Sequence, residues 1–207
     1  MKLYLAPNAC SLAIDIVARE LKVLLTLEWV DVRAKRLKDG GDYFRINPKG
    51  QVPALALDDG ELLTEGPVIM QCLADARPGN DLLPQGGSLD RYRVLEWLNF
   101  ISSELHKGFT PLFRPTTPPA YRKIAIENLS TRLSWLNDVL SERPYLTGGT
   151  FTLADAYCYT IVTWSRIHNL DLSRWPHLSA YVERIEARES VQAARQAEAT
   201  EIRRRNA

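Results

Sequence analysis

The chain has 207 residues, long enough to bury a sizeable core as one large domain or two small ones. Its 26 lysines and arginines balance 25 acidic residues, and the resulting net charge of +1 excludes a field that would gather nucleic acid or an anionic membrane surface. No run approaches the ~20 apolar residues of a membrane span; Pro7, Asn8, Cys10 and Asp15 break up the start where a signal peptide would be apolar; and three separated cysteines, Cys10, Cys72 and Cys158, argue for single thiols in a reducing compartment. The expectation is a cytoplasmic protein with a small or nearly neutral partner, and with neither nucleic acid nor membrane.

In chain order, "KLYLA" reads as a strand, "SLAIDIVARELK" as an amphipathic helix, "LTLEWVDV" as a second strand and "DYFRI" as a short helical or irregular piece. "VPALAL" and "ELLT", separated by Asp58-Asp59-Gly60, form a hairpin, and "PVIMQCLADA" follows as a helix with Pro67 at its first position. The order is βαβ and then ββα. "RPGNDLLPQGGS" has the composition of a linker. Beyond it, Leu95, Leu98, Ile101, Leu105, Phe109 and Leu112 mark one helix, and Ala125, Leu129, Leu133, Leu136 and Leu140 another. "TLADAYCYTIVTW" and "HLSAYVERIEAR" continue the helical pattern, and "RRRNA" reads as a solvated, frayed tail. The expected division is 1–77, a linker over 78–88, and an all-α unit over 89–207.

Cys10 stands where the first strand gives way to the first helix, in "PNACSLA". With Ser11 as N-cap, the thiol would face free N–H groups and the positive end of the helix dipole, an environment that lowers a thiol pKa below ~8.5 and also steadies the thiolate of a bound ligand. The alternative reading is a small buried hydrophobe. Three residues on, where a resolving cysteine would sit, the chain has Ala13, so Cys10 can act only with a thiol from outside.

"PNACSLA", "NPKGQVPAL", "LTEG" and "ADAY", in this order over the whole chain, resemble the bacterial beta-class glutathione S-transferases. The resemblance implies the glutathione transferase fold: an α+β thioredoxin-like N-terminal domain followed by an all-α C-terminal domain that forms most of the site for a second, apolar substrate. It implies glutathione as co-substrate, no metal, a homodimer, and a small hydrophobic electrophile as the other substrate. By the same resemblance the Val52–Pro53 bond is cis, with the Val52 backbone pairing with the cysteinyl part of glutathione. The Gly66 N–H would hold the γ-glutamyl carboxylate, Glu65 the ammonium group or the ligand's orientation, and Lys35 the glycyl carboxylate, with Arg36 and Lys38 near enough to blur the assignment. Glu65 and Lys35 also read as ordinary solvated charges.

Asn99, Ser103, His106 and Thr110 are spaced four, three and four, a polar stripe that by itself is a solvated face. The resemblance places His106 near the ligand sulfur as a catalytic residue with Cys10 and Ser11, and Asn99, Ser103 and Glu104 at the glutathione site, some of them across a dimer interface. His168 and His177 match nothing and read as structural or exposed. Thr152, Asp155 and Phe151 read as a capping box with its staple, without a catalytic role. Cys72 and Cys158 read as core.

Two departures stand out. Leu5 occupies the place of a tyrosine that many relatives hold near the thiol, with Tyr4 on the opposite face of the strand, and Gly66 stands where relatives often carry a hydroxyl. The implied activity is attack of a glutathione thiolate on an electrophile or disulfide, with Cys10 able to form a mixed disulfide. The alternatives are glutathione-dependent reductive dehalogenation or isomerisation, in a pocket of Phe109, Phe113, Trp164 and Ile167, and a non-catalytic binding or regulatory protein of the same fold.

Overall fold

The structure is a computed structural model and describes residues 1–206, the side chain of Asn206 apart. The chain divides into two compact units, Met1–Asn80 with the segment beginning at Ala187, and Asp81–Glu186.

In the first unit, β1 (Lys2–Leu5), α1 (Leu12–Glu20) and β2 (Thr26–Asp31) make the βαβ half, with β1 and β2 parallel. A two-residue β3 (Arg36–Leu37) pairs antiparallel with β2 inside a polar stretch that gave no strand signal. The piece around Tyr43–Arg45 is a 3₁₀ turn, capped by the Asp42 carboxylate accepting the Phe44 N–H. β4 (Ala54–Ala56) and β5 (Leu62–Thr64) form the expected antiparallel hairpin, followed by α2 (Gly66–Asp75). At its turn Gly60 has φ of 94° and Asp59 accepts the Glu61 N–H. The sheet order is β3-β2-β1-β4-β5, and β4 runs antiparallel to β1.

Alternation along β1 decides what each face buries. Leu3 and Leu5 are fully buried on one face, and each contributes roughly 1.5–3 kcal/mol on leaving water. Tyr4 lies on the other face and packs on Tyr43, with ring centroids 5.8 Å apart, in a cluster with Val30 and Ala54.

The second unit is helical: α3 (Leu89–Phe100), α4 (Lys107–Phe113), α5 (Pro119–Ser141), α6 (Leu153–Val162), the single turn α7 (Trp164–Ile167) and α8 (Pro176–Glu186). The run expected as one helix is interrupted between α3 and α4 by a π-helical segment, Ile101–His106, so its polar stripe does not keep a 3.6-residue period. The expected capping box at the start of α6 is present. Asp155 accepts the Thr152 N–H at 2.8 Å and the Leu146 N–H at 2.9 Å, while Phe151 is buried against Tyr145.

Two boundaries differ from the expected ones. Within 78–88, Leu82 and Leu83 are buried and the Leu82 carbonyl accepts the Leu153 N–H, so the stretch from Asp81 on is packed into the second unit. The chain from Ala187 belongs to the first unit, as α9 (Glu189–Asn206). Arg188 makes a two-pronged ion pair with Glu20, and Val191 and Ala194 are fully buried. The basic end is helical as far as Asn206, with Arg204 and Arg205 paired to Glu201 and Arg205 donating to the Val30 carbonyl, which corrects the expectation of a frayed tail. Ala207, the last residue of that expected tail, lies outside the described residues.

Candidate active site

The segment from β1 to α1 carries Cys10. Ser11 holds the N-cap position of α1 as expected, but its side chain makes no capping bond: its backbone is already helical, and its fully buried Oγ accepts the Ala6 N–H at 3.1 Å and donates to the Ala6 carbonyl at 3.3 Å. The position is the expected one, and the hydroxyl is engaged in closing the loop on Ala6. What Ser11 offers the thiol is its backbone N–H. The partly buried Cys10 Sγ donates to the Val52 carbonyl oxygen at 3.5 Å.

Burial pushes the Cys10 thiol up to about 12, the N–H groups of Cys10 and Ser11 pull the other way, and the Glu65 carboxylate adds to the rise. The helix start therefore does not make a thiolate of the free thiol, contrary to the expectation. Desolvation outweighs the hydrogen bonds.

The loop before β4 is fixed by side chains that take its carbonyls in succession. Lys35 Nζ donates to the Gly50 oxygen at 2.7 Å, Asn47 Nδ2 and Tyr43 OH both donate to the Gln51 oxygen, and Cys10 donates to Val52. Gly50 has φ of 62°, and a Cβ there would lie 2.6 Å from the Phe44 ring, so the position requires glycine. The Val52–Pro53 bond is cis, as the resemblance implies. Lys35, expected to meet a carboxylate, is bound to the loop itself. Asn47 and Tyr43 were missed as site-shaping residues, although "NPKGQVPAL" contains the first and their full burial under a polar loop is the tertiary signal.

Glu65 follows β5 directly, has φ of 70° and stands as the N-cap of α2, with Gly66 the first helical residue and Pro67 the second, one position later than expected. Its carboxylate is exposed and pairs with Lys49 Nζ at 2.7 Å, a partner the sequence did not indicate. A Cβ on Gly66 would meet only Ile14 at 3.6 Å and Pro53 at 3.8 Å, ordinary contacts. Within the first unit Cys10 is thus hydrogen-bonded to Val52, which the cis bond joins to Pro53, and Glu65 is electrostatically coupled to Cys10.

In the second unit, His106 Nδ1 shares a hydrogen with Tyr157 OH at 2.7 Å, and its ring meets Trp164 edge-on at 4.9 Å. Ser103 Oγ donates to the Asn99 carbonyl, and Glu104 accepts from Arg132 Nε at 2.8 Å. Of the expected apolar pocket, Trp164 and Phe109 are buried, whereas Phe113 and Ile167 are exposed. Phe113 lies 4.9 Å from Trp164 and 4.4 Å from His168, so His168 joins this aromatic cluster, which sequence reasoning did not assign to it. His177 is exposed. Leu5, which has no hydroxyl, is buried, and the Tyr4 ring packs on Tyr43. Cys158 is fully buried, Cys72 only partly. Among the described residues no group of three or more His, Cys, Asp or Glu is arranged to hold a metal, and no helix is long and apolar enough to cross a membrane.

Residues 9–76 match the glutathione S-transferase N-terminal domain, and residues 100–189 the C-terminal domain. The chain is 49% identical over 198 residues to the glutathione S-transferase GstA of Escherichia coli O157:H7, covering 96% of this chain and 98% of that one. The structure of a sphingomonad glutathione S-transferase complexed with glutathione superposes with a TM-score of 0.93 at 41% identity, covering 96% and 99%. A bacterial beta class glutathione S-transferase from Sphingomonas chungbukensis gives 0.93 at 39%, covering 96% and 98%. A thioredoxin-like unit with a cysteine at its first helix, a helical unit after it, and this similarity along both show that the chain belongs to the glutathione S-transferase family, as a bacterial beta-class glutathione transferase.

Proposed function

We propose that the first unit binds glutathione along Val52, Pro53, Glu65 and Gly66, with its sulfur at Cys10, and presents it as a thiolate to a small hydrophobic electrophile. The observation that carries the reading is the Cys10 Sγ to Val52 oxygen contact, because it joins the thiol to the backbone rung that would pair with an extended peptide ligand. A thiol held near 12 is protonated at neutral pH. It is therefore a weak hydrogen-bond donor, suited to a neighbouring glutathione thiolate, as are the N–H groups of Cys10 and Ser11. The glutathione sulfur then forms its bond to an electrophilic carbon while the leaving group departs with the electron pair, or attacks a disulfide and releases a thiolate.

The γ-glutamyl carboxylate suits the start of α2, where Gly66 is the first helical residue and an N–H in the first turn would favour an anion, and Glu65 beside it suits the ammonium group. Lys35 is proposed for the glycyl carboxylate, exchanging its Gly50 partner for it. The roles of Asn99, Ser103 and Glu104 at the glutathione site and of His106 near the sulfur rest on family membership. A homodimer and a cytoplasmic setting belong to the same proposal, the latter supported by three free cysteines.

Isothermal titration with reduced glutathione tests the reading, followed by intact mass after exposure to oxidised glutathione. Saturable binding by the full chain supports it. An adduct of one glutathione per chain, absent in Cys10→Ala, would replace the donor role of Cys10 by a mixed disulfide. No binding would return the chain to the non-catalytic alternative.

A further inference from the structure

Glu198 is a buried carboxylate that the glutathione reading leaves unused. It lies on α9, 6% exposed, and its Oε1 accepts the Asn8 backbone N–H at 3.1 Å. Asn8 stands two residues before Cys10 with φ of 57°, a left-handed turn conformation that asparagine tolerates better than most residues. At the base of the same loop Ser11 Oγ binds both the N–H and the carbonyl of Ala6. The loop that carries Cys10 is thus tied at its base by a neighbour and at its crest by a residue 190 positions along the chain.

We infer that Glu198 is a positioning residue for Cys10: by fixing the backbone at Asn8, its carboxylate sets how tightly the loop closes over the Cys10 sulfur. The inference rests on the reading of Cys10 as the residue that meets the glutathione sulfur and adds a control to that site. The charged groups facing Glu198 are Asp15 on α1, itself buried and paired with Arg19, and Arg195 one turn earlier on α9. Burial pushes Glu198 up to about 7, Arg195 and the Asn8 N–H pull it down, and Asp15 adds to the rise. A carboxylate accepts more strongly than a carboxylic acid, so the loop is held more tightly above neutrality than below it.

Alkylation of Cys10 by iodoacetamide, resolved by peptide mass spectrometry, tests this on the full-length wild type, Glu198→Gln and Glu198→Ala. Removing the acceptor lets water reach the sulfur. Glu198→Ala is expected to react about tenfold faster than wild type near pH 8.5 and only about threefold faster near pH 6, where wild type is itself loosened. Glu198→Gln, which keeps a neutral acceptor, is expected to match wild type near pH 6 and to exceed it about threefold near pH 8.5.

Gln and Ala variants that behave alike would reduce Glu198 to a charge effect and overturn the inference. So would a rate ratio independent of pH accompanied by a lower melting temperature, which is the mark of a merely structural residue. Should Glu198→Ala fail to fold, the pH dependence of the Gln ratio decides. Titration of the wild type with glutathione reports separately on the underlying site: failure to bind would remove that reading while the alkylation ratios still judge the loop.

Discussion

The Sγ of Cys10 donates its hydrogen to the backbone carbonyl of Val52 across 3.5 Å, tying the loop before α1 to the loop before β4. Two segments 42 positions apart thereby form one wall, and the thiol that joins them stays protonated because burial outweighs the N–H groups that favour its ionised form. The alkylation rate of free Cys10 is accordingly expected to keep rising with pH through pH ~9, since only the thiolate reacts. A plateau near neutrality, read by site-resolved mass spectrometry, would mean an activated thiolate instead.

Cys10→Ala is expected to keep glutathione affinity within about threefold, because the ligand is held mainly by backbone and by the α2 start, and to slow transfer to an electrophile by about tenfold or more through loss of a donor to the thiolate. Calorimetry and steady-state rates with a chromogenic electrophile separate the two effects. A variant that loses binding and rate together would assign Cys10 to ligand affinity.

Gly66→Ser addresses the missing hydroxyl. The position has helical backbone and a Cβ would meet only ordinary contacts, so the side chain is accommodated. One added hydrogen bond to the γ-glutamyl carboxylate is expected to tighten glutathione binding by about three- to tenfold with little change in melting temperature. Unchanged affinity by calorimetry would move that carboxylate away from the α2 start.

Glu65 and Lys49 form an ion pair whose side chains are 65% and 52% exposed, so it contributes little to stability, within about 1 kcal/mol. Glu65→Ala is expected to leave thermal unfolding nearly unchanged while weakening glutathione binding by about tenfold. Equal losses of both, measured on the same preparation, would make Glu65 structural.

Asp155 is the opposite case. Fully buried, it accepts from the N–H groups of Thr152 and Leu146 and from the Tyr181 hydroxyl, and Asp155→Ala strands all of these donors. The expected cost in denaturant unfolding is about 3–5 kcal/mol, with glutathione affinity retained by whatever fraction remains folded.

Two carboxylates of α9 give opposite pH dependences. Hydrogen bonds from Arg204 and then Arg205 hold Glu201 down at about 2, against a desolvation cost. Its contribution is complete above the unfolded value of 4.5 and is lost as pH falls from there toward 2. Glu198, raised to about 7, binds its proton more tightly folded than unfolded, so its ionisation lowers stability as pH rises from 4.5 to 7. Denaturation curves of Glu198→Gln are expected to be flatter than wild type over that interval.

Much of the framework was legible because local rules and burial agreed. The alternation of β1, the Asp-Gly turn, Pro67 in the first turn of α2 and the Thr152–Asp155 capping box each follow from residue types a few positions apart. The π-helical segment was not legible, since its apolar residues still recur at three and four. Nor was α9: its buried side includes Glu198 and Glu201 beside Val191 and Ala194, and carboxylates on the packed face hide the stripe from any reading that looks for apolar residues.

Of the candidate site, the sequence alone determined which residues are available: a lone cysteine at a helix start without a resolving partner, a proline before a short strand, and an acid and a glycine at the next helix start. Only the tertiary structure decided their chemical state. It turned Ser11 toward Ala6, gave Lys35 to Gly50 and Glu65 to Lys49, and buried the Cys10 sulfur against Val52. The reason is physical: a residue's type sets which hydrogen bonds and charges it can offer, whereas its partners and its access to water, which set protonation and pKa, depend on segments far apart in the chain.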